Sequence, residues 1–183
     1  MVKPWRTLQT EKLLETEILT VRAVRRQSQK SGVTGRFVTI DTPDWVNVIA
    51  VTDAGEILLI RQYRHGINDM ALEIPGGVVD AGESPAETAQ RELLEETGYA
   101  GAPPVQLGMT DVNPAIQTNK CYTFLIRHAK RIEESSLEKY EEIDVRSTPA
   151  QEIPELISRG EITHSLVVTA FYWYDSWQQR IRR

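Results

Sequence analysis

The chain of 183 residues contains a single cysteine, Cys121, no long apolar run and no excess of positive charge. One cysteine cannot form an intrachain disulfide, so we expect a reducing compartment and predict a cytoplasmic location. No stretch approaches the roughly 20 apolar residues of a membrane-spanning helix, and the first residues lack the apolar segment of a secretory signal. The formal net charge of −5 argues against DNA or RNA, whose backbones select basic surfaces. We therefore expect no nucleic-acid partner and no membrane partner.

The residues that are present give the composition of a globular protein, with 40% hydrophobic and 26% charged residues. A chain of this length can bury a substantial core in one domain. Because no repeat, linker or low-complexity segment divides it, we predict a single domain over residues 1–183.

Apolar periodicity predicts a series of strands followed by helices. The strands are residues 18–27, 37–41, 46–52, 56–63, 71–74, 105–110, 121–128 and 143–146. Residues 1–16 are polar and mixed, so we predict an irregular entry there. Helices are predicted from Ser84 to Gly98, from Pro149 to Arg159 and from about Ser165 to Arg182.

The first helix has a clear beginning and end in the sequence. Ser84 suits the N-cap, Pro85 suits the first helical position, and Glu87 completes a capping box. Gly98 suits the left-handed position that follows a helix. The face that should pack inward is lined by Ala86, Ala89, Leu93 and Thr97.

Three carboxylates share one flank of this helix. Glu92 and Glu96 are one turn apart and Glu95 lies beside them, so their charges repel by roughly 0.2–0.5 kcal/mol per pair. A hard cation such as Mg²⁺, which prefers oxygen ligands, reverses the sign of this contribution. The cluster therefore indicates a divalent metal site that faces a phosphate substrate, and the competing interpretation is a solvated acidic face.

The segment from Gly77 to Tyr99 resembles the complete sequence box of the Nudix hydrolases. The resemblance is carried, at the family's spacing, by Gly77, Glu83, Arg91, Glu92, Glu95, Glu96 and Gly98. Tyr99 departs from the aliphatic residue that is usual at the last position. The resemblance implies the α+β class, with a Nudix α/β/α sandwich in which a mixed sheet lies between helices. It also implies metal-dependent cleavage of a nucleoside diphosphate linked to another group.

The resemblance assigns roles within the box. Glu92, Glu95 and Glu96 would be metal ligands, joined by the carbonyl of Gly76, and Glu96 also counts as catalytic. Arg91 and Glu83 would form an ion pair that braces loop and helix, while Gly77 and Gly98 are structural. Mg²⁺ is the implied cofactor, with Mn²⁺ as a substitute.

Three residues outside the box are candidate substrate contacts. Arg64 ends a Gln-Tyr-Arg segment that resembles ADP-ribose pyrophosphatases, which implies contact with the diphosphate, whereas the local residues also fit an exposed strand end. Trp45 offers a flat face for a nucleotide base, or it packs at a strand edge. Glu73 faces the substrate cleft or pairs with a nearby arginine.

Two further features resemble the ADP-ribose and nucleotide-sugar branch. Pro114 follows Gly98 by sixteen residues, an offset similar to that branch's signature. The charged segment 133–142 is similar to a mobile loop that carries a general-base glutamate, and the candidates for that base are Glu141 and Glu142, with Glu138 third.

The N-terminal hairpin resembles a small sheet that this branch uses in dimer formation. We therefore expect residues 1–44 to be an N-terminal β extension used in a homodimer, and residues 45–183 to be the catalytic core. The predicted function is Mg²⁺-dependent hydrolysis of a nucleotide-sugar substrate such as ADP-ribose. The alternatives are Nudix hydrolysis of an oxidised nucleoside triphosphate, a dinucleoside polyphosphate or coenzyme A, and a non-catalytic nucleotide-sugar sensor.

Overall fold

The computed structural model describes residues 1–137 and 139–181. They form two compact units: residues 1–44 together with 111–120, and residues 45–110 together with those from 121 onward. The division that we predicted, between an N-terminal extension over residues 1–44 and a catalytic core over residues 45–183, stays a prediction. None of the helices in the described part of the chain is long and apolar enough to cross a lipid bilayer.

The first unit is built on an antiparallel sheet of three strands. The strands are β1 (Trp5–Glu15), β2 (Thr20–Ser28) and β3 (Thr34–Asp41), in the order β1-β2-β3. The predicted hairpin of β2 and β3 is confirmed, but the irregular entry predicted for residues 1–16 is wrong because β1 occupies most of it. Every residue of β1 is exposed. The strand is held by backbone pairing to β2. Because neither of its faces is buried, its sequence does not alternate between apolar and polar residues in the way that would reveal a strand.

The segment 111–120 belongs to this unit through pairing with the far edge of β3. Ile40 N donates to the carbonyl of Ile116 at 2.7 Å, and Thr118 N donates to the carbonyl of Ile40 at 3.1 Å. Pro114 lies in the turn that precedes this pairing, where the carbonyl of Asn113 accepts from Ile116 N at 3.0 Å. The proline thus shapes a segment that extends the N-terminal sheet.

The second unit contains the larger sheet. Its strands are β4 (Trp45–Thr52), β5 (Glu56–Arg64), β6 (Asp69–Glu73), β7 (Tyr99–Ala100), β8 (Val105–Asp111), β9 (Lys120–Arg131) and β10 (Ile143–Pro149). The main path is β10-β5-β4-β9-β7, with β6 paired to β5 and β8 paired to β9. Strand β4 runs parallel to β9, whereas β5 is antiparallel to its neighbours β4, β6 and β10. The sheet is therefore mixed, as predicted.

Helices cover both faces of this sheet: α1 (Pro85–Thr97) on one, and α2 (Ile153–Ser158) with α3 (Ser165–Ile181) on the other. The core under α1 includes Val48, Leu58, Ala89, Leu93 and Ile126. The core under α2 and α3 includes Ile49, Leu59, Leu125, Leu156 and Phe171. Neighbouring residues of one strand, such as Val48 and Ile49, thus face opposite cores, which is why these strands read as continuous apolar runs. The predicted α/β/α sandwich is confirmed.

The helix predicted over residues 149–159 is wrong in its first half. Strand β10 continues to Pro149, which pairs in register with Glu56, and a single 3₁₀ turn (Ala150–Glu152) follows. Helix α2 begins only at Ile153, so Pro154 lies in its first turn, where a missing N–H costs little. The predicted end of the last helix at Arg182 lies outside the described residues.

Candidate active site

Helix α1 begins and ends where the sequence predicts. Ser84 Oγ accepts from Glu87 N at 3.3 Å, and Glu87 Oε2 accepts from Ser84 N at 2.8 Å, so the capping box is complete. Gly98 takes a left-handed conformation with φ of 73°, and its N–H donates to the carbonyl of Leu94 at 2.7 Å. These local contacts fix which residues face the sheet and which remain on the acidic flank.

A cavity of about 260 Å³ lies beside the acidic flank of α1. The loop after β6 contributes Gly76 to its wall, and the segment before β10 contributes Glu141. Strand β5 contributes Gln62 and Arg64, which share one face of the strand. Helix α1 contributes Arg91, Glu92, Glu95 and Glu96. The cavity therefore collects carboxylates and cationic side chains from separate parts of the second unit.

Glu96 is the most buried of the three carboxylates, with only 3% of its surface exposed. Its Oε2 accepts from Gly76 N at 2.9 Å. Burial raises the pKa of Glu96 to about 8, against the opposing effect of the Gly76 hydrogen bond. Burial also raises the pKa of Glu92, and the charge of Arg91 opposes this rise. Clustered, desolvated carboxylates of this kind are stabilised by a bound divalent cation, so the donor set fits a hard metal ion.

The loop before α1 is held against β4 so that one of its peptides faces the helix. Val48 N donates to the carbonyl of Pro75 at 2.8 Å, and Val46 N donates to the carbonyl of Gly77 at 2.9 Å. The intervening Gly76 directs its N–H to Glu96 instead. A Cβ atom at Gly77 would lie 2.3 Å from Oε1 of Glu92, so a larger residue there would displace this carboxylate.

Arg91 forms the ion pair with Glu83 that the sequence predicts. Its Nε lies 3.1 Å from Glu83 Oε1, and its Nη2 also donates to the carbonyl of Val78 at 3.2 Å. Its Nη1 donates to Glu92 Oε1 at 2.8 Å and to Glu95 Oε2 at 3.0 Å. The hydrogen bond to Arg91 lowers the pKa of Glu83, and these carboxylates raise the pKa of Arg91. The guanidinium therefore braces loop and helix and neutralises part of the acidic flank.

Within residues 1–137 and 139–181, no three acidic, histidine or cysteine side chains already form a closed cation site. The position of Arg91 offers a physical reason, since its Nη1 lies between Glu92 and Glu95. The ligand set of Gly76, Glu92, Glu95 and Glu96 thus stays a prediction about the loaded enzyme.

The three candidate substrate contacts occupy different places. Arg64 lines the cavity, and its Nε lies 3.2 and 3.1 Å from the two oxygens of Glu73. Glu73 is buried behind Arg64, which favours the arginine-pairing interpretation over direct contact with substrate. Trp45 is half-buried at the start of β4, where it pairs in register with Cys121, and it is not a residue of the cavity wall.

The loop before β10 separates the two leading candidates for the general base. Glu141 is half-buried and lines the cavity, whereas Glu142 is exposed and does not. Glu138, the third candidate, lies outside the described residues. Sequence reasoning assigned no role to Gln62 or to Asp80, which also line the cavity. The signal for Gln62 was available, because its strand position places it on the same face as Arg64.

The segment that leads to Glu141 is tied to the C-terminal end of α1. The carbonyl of Gly98 accepts from Ile132 N at 2.9 Å and from Glu133 N at 3.3 Å, and the carbonyl of Glu95 accepts from Ser136 N at 2.8 Å. These bonds satisfy carbonyls that every helix end leaves without an intrahelical partner. The helix that carries the carboxylates therefore also anchors the loop that carries Glu141.

Comparison with known proteins identifies relatives over most of the chain. A family model described as the NUDIX domain matches residues 42–170. The ADP-ribose pyrophosphatase of Bacillus subtilis (strain 168) is 29% identical over 133 residues, which cover 72% of each protein. The ADP-ribose pyrophosphatase of Mycobacterium tuberculosis (strain ATCC 25618 / H37Rv) is 28% identical over 165 residues, 88% of this chain and 79% of that one.

The crystal structure of an ADP compounds hydrolase superposes with a TM-score of 0.87 at 21% identity, over 98% of this chain and 96% of that one. At this identity the superposition supports the fold alone. The family match covers the larger sheet, α1 with its acidic flank, α2 and the beginning of α3, and on this basis the chain belongs to the NUDIX domain family.

Proposed function

We propose that the protein hydrolyses the diphosphate bond of nucleoside diphosphate sugars, such as ADP-ribose, ADP-glucose and GDP-mannose. Water attacks one phosphorus atom, the bond from that atom to the bridging oxygen breaks, and the products are a nucleoside monophosphate and a sugar phosphate. The observation that carries the proposal is the cavity in which three α1 carboxylates meet Arg64 and Glu141. The names of the two pyrophosphatase relatives support ADP-ribose as the first substrate to test.

The proposed metal ligands are Glu92, Glu95 and Glu96, joined by the carbonyl oxygen of Gly76. Mg²⁺ is the proposed cofactor, with Mn²⁺ as a substitute, because hard cations prefer oxygen donors. The bound cation would neutralise phosphate oxygens and lower the pKa of an attacking water. Arg91 and Glu83 hold the loop and helix that present these donors.

Two side chains of the cavity act directly on substrate and water in this proposal. Arg64 donates charge-assisted hydrogen bonds to the diphosphate and orients it for attack. Glu141 accepts a proton from the attacking water, and we prefer it to Glu142 because it alone of the two lines the cavity. Stacking of a nucleotide base on Trp45 stays a prediction.

The homodimer and the cytoplasmic location also remain proposals. Support for the dimer comes from apolar side chains that the first unit exposes, namely Trp5, Leu8, Leu13, Leu14, Phe37 and Val38. A second copy of the sheet offers a partner of the same character, since pairing of two copies would remove such apolar side chains from water. The lone cysteine supports the reducing compartment.

The decisive experiment is a turnover screen with Mg²⁺ over ADP-ribose, ADP-glucose, GDP-mannose and UDP-glucose. An oxidised nucleoside triphosphate, a dinucleoside polyphosphate and coenzyme A complete the panel, and products are separated by chromatography. We expect nucleoside monophosphate and sugar phosphate, and we expect Glu96→Gln to lower kcat by roughly 10²–10³-fold, since an electrostatic catalytic contact is lost. Turnover confined to the last three substrates, or unchanged activity of Glu96→Gln, would contradict the proposal.

A further inference from the structure

Arg64 is held by a buried carboxylate on the neighbouring strand. The register of β5 and β6 pairs Ile60 with Glu73 and Arg64 with Asp69, so these side chains share one face of the sheet. The side chain of Arg64 reaches Glu73 on this face, where its Nε and Nη2 both donate to the carboxylate. Glu73 is only 3% exposed, so its carboxylate is largely shielded from water and has Arg64 as its hydrogen-bond partner.

A third residue approaches the same carboxylate from the other side. His164 precedes α3, and its carbonyl accepts from Val167 N and Val168 N at 3.0 Å. Its ring is 40% exposed, yet Nδ1 is buried and makes no hydrogen bond to any described residue. This Nδ1 lies 3.9 Å from Oε1 of Glu73. The inward edge of the imidazole therefore faces the carboxylate that holds Arg64.

The chemistry of the carboxylate determines which tautomer of His164 fits. A guanidinium only donates hydrogen bonds, so both oxygens of Glu73 act as acceptors toward Arg64. Facing acceptor oxygens favours the tautomer in which this ring nitrogen carries the proton. Burial lowers the pKa of His164, although Glu73 opposes this effect, so the imidazole is neutral near pH 7. At 3.9 Å the contact is electrostatic, and it is longer than a hydrogen bond.

The guanidinium of Arg64 has one edge for this carboxylate and another for the cavity. Its Nε and Nη2 are engaged by Glu73, while Nη1 has no hydrogen-bond partner among residues 1–137 and 139–181. Arg64 is also a residue of the cavity wall. Because a free arginine side chain loses rotamer entropy when it is ordered, fixing one edge of the guanidinium in advance lowers the cost of ligand binding at the other edge.

We propose that His164 is a positioning residue: its Nδ1–H group restrains Glu73, and Glu73 holds Arg64 with its remaining donors directed to the substrate diphosphate. This rests on the proposed function, in which Arg64 binds the diphosphate. A purely structural His164 at the start of α3 is the competing explanation. It predicts lower stability on substitution with no selective effect on substrate binding.

The kinetic test compares His164→Leu with His164→Asn, because the amide of asparagine keeps a donor near the position of Nδ1. With ADP-ribose and Mg²⁺, we expect His164→Leu to raise KM roughly tenfold, as for coupled residues of one polar network, with a smaller change in kcat. His164→Asn should restore most of the loss. In an Arg64→Ala background, His164→Leu should raise KM no further. Equal effects of His164→Leu with and without Arg64 would overturn the proposal.

A second measurement is independent of turnover. Nitrogen-15 NMR of the imidazole in the wild-type protein should show a neutral ring protonated at Nδ1. A ring protonated only at Nε2 would overturn the proposal even if KM changed. If the wild-type protein does not hydrolyse ADP-ribose, the proposed function fails, and the tautomer still decides whether His164 faces Glu73 as a donor. Thermal unfolding of both variants shows whether a KM change reflects loss of folded protein.

Discussion

The three carboxylates of α1 differ in burial, and burial determines how they respond to pH. The side chain of Glu95 is 43% exposed and that of Glu92 is 13% exposed, whereas Glu96 is almost fully buried. Because the pKa of Glu96 is raised to about 8, the metal-free protein holds a proton there at neutral pH. A bound cation must displace this proton, so metal binding and proton release are linked.

This linkage predicts an unusual pH dependence for the metal-free protein. Folding raises the pKa of Glu96 from 4.5 to about 8, so the folded protein binds a proton there more tightly than the unfolded chain does. The contribution of this proton to the stability of the fold is complete below pH 4.5 and is lost as the pH rises toward 8. Over this window the free energy of unfolding should fall by up to about 1.4 kcal/mol per pH unit relative to Glu96→Gln. Urea unfolding in EDTA between pH 5 and 8 measures the difference. If the free energies of unfolding of the wild type and of Glu96→Gln changed in parallel with pH, the raised pKa of Glu96 would be contradicted.

The adjacent glutamates 141 and 142 form a matched pair for testing the base. Glu141→Gln should lower kcat by roughly 10²–10⁴-fold, because the group that accepts the water's proton is lost from the cavity wall. Glu142→Gln carries the same chemical change at an exposed position outside the wall and should leave kcat nearly unchanged. Steady-state kinetics with ADP-ribose decide between them. The reverse order of effects would move the base to Glu142.

Helix α1 and the loop before β10 depend on each other through Gly98. A Cβ atom at Gly98 would lie 2.2 Å from the carbonyl oxygen of Glu133, in addition to the strain of a left-handed φ. Gly160 has the same φ of 73° with no atom within 4 Å of such a Cβ. The two glycines thus separate backbone strain from steric displacement of the loop.

Gly160→Ala should cost about 1–2 kcal/mol of stability, the usual penalty for a left-handed alanine, and leave kcat intact. Gly98→Ala should cost more, and it should also lower kcat because the loop that carries Glu141 must move away from α1. Urea unfolding and ADP-ribose turnover of both variants provide the comparison. Equal stability losses together with equal kcat values would show that the contact with Glu133 does not position the loop.

The elements that the sequence predicts well are those defined by local chemistry. Helix α1 is bounded by a capping box and a left-handed glycine within its own fifteen residues, 84–98, so its limits could be read directly. Strand β1 could not be predicted, because its pairing partner lies on β2 and none of its residues is buried. The late start of α2 depends on the register of β10 against β5, which no local pattern in Pro149–Arg159 reveals.

The same difference between local patterns and contacts of distant elements determines which parts of the site could be predicted from the sequence. The carboxylates of α1 follow from spacing along one helix. The pairing of Glu73 with Arg64, by contrast, depends on the register of two strands, and the approach of His164 depends on where α3 begins. Trp45 was chosen as a stacking residue by type, and it is not among the residues of the cavity wall. Residue type and spacing therefore predict the acidic flank of α1 better than the contacts around Arg64.

The apolar side chains that the first unit exposes lead to a prediction about the oligomeric state of the protein. If the exposed apolar side chains of the first unit join two copies, the wild-type protein should sediment at about twice the chain mass of 20.8 kDa. Leu14→Lys should raise the dimer dissociation constant by about tenfold or more, since a buried leucine contributes roughly 1.5–3 kcal/mol. Tyr172→Lys, at an exposed position on α3, is the control and should not change it. Sedimentation of the wild type as a monomer would contradict the dimer.

The segment 111–120 gives the chain a particular connectivity. The polypeptide passes from the first unit to the second after Asp44, returns after Thr110 and leaves again after Lys120. A single cleavage therefore cannot release the first unit intact. A fragment that began at Trp45 would keep ten residues whose partner strand, β3, had been removed. The N-terminal sheet is consequently not an appendage that recombination could exchange as one block, and any lineage that replaced it would also have had to replace the excursion that contains Pro114.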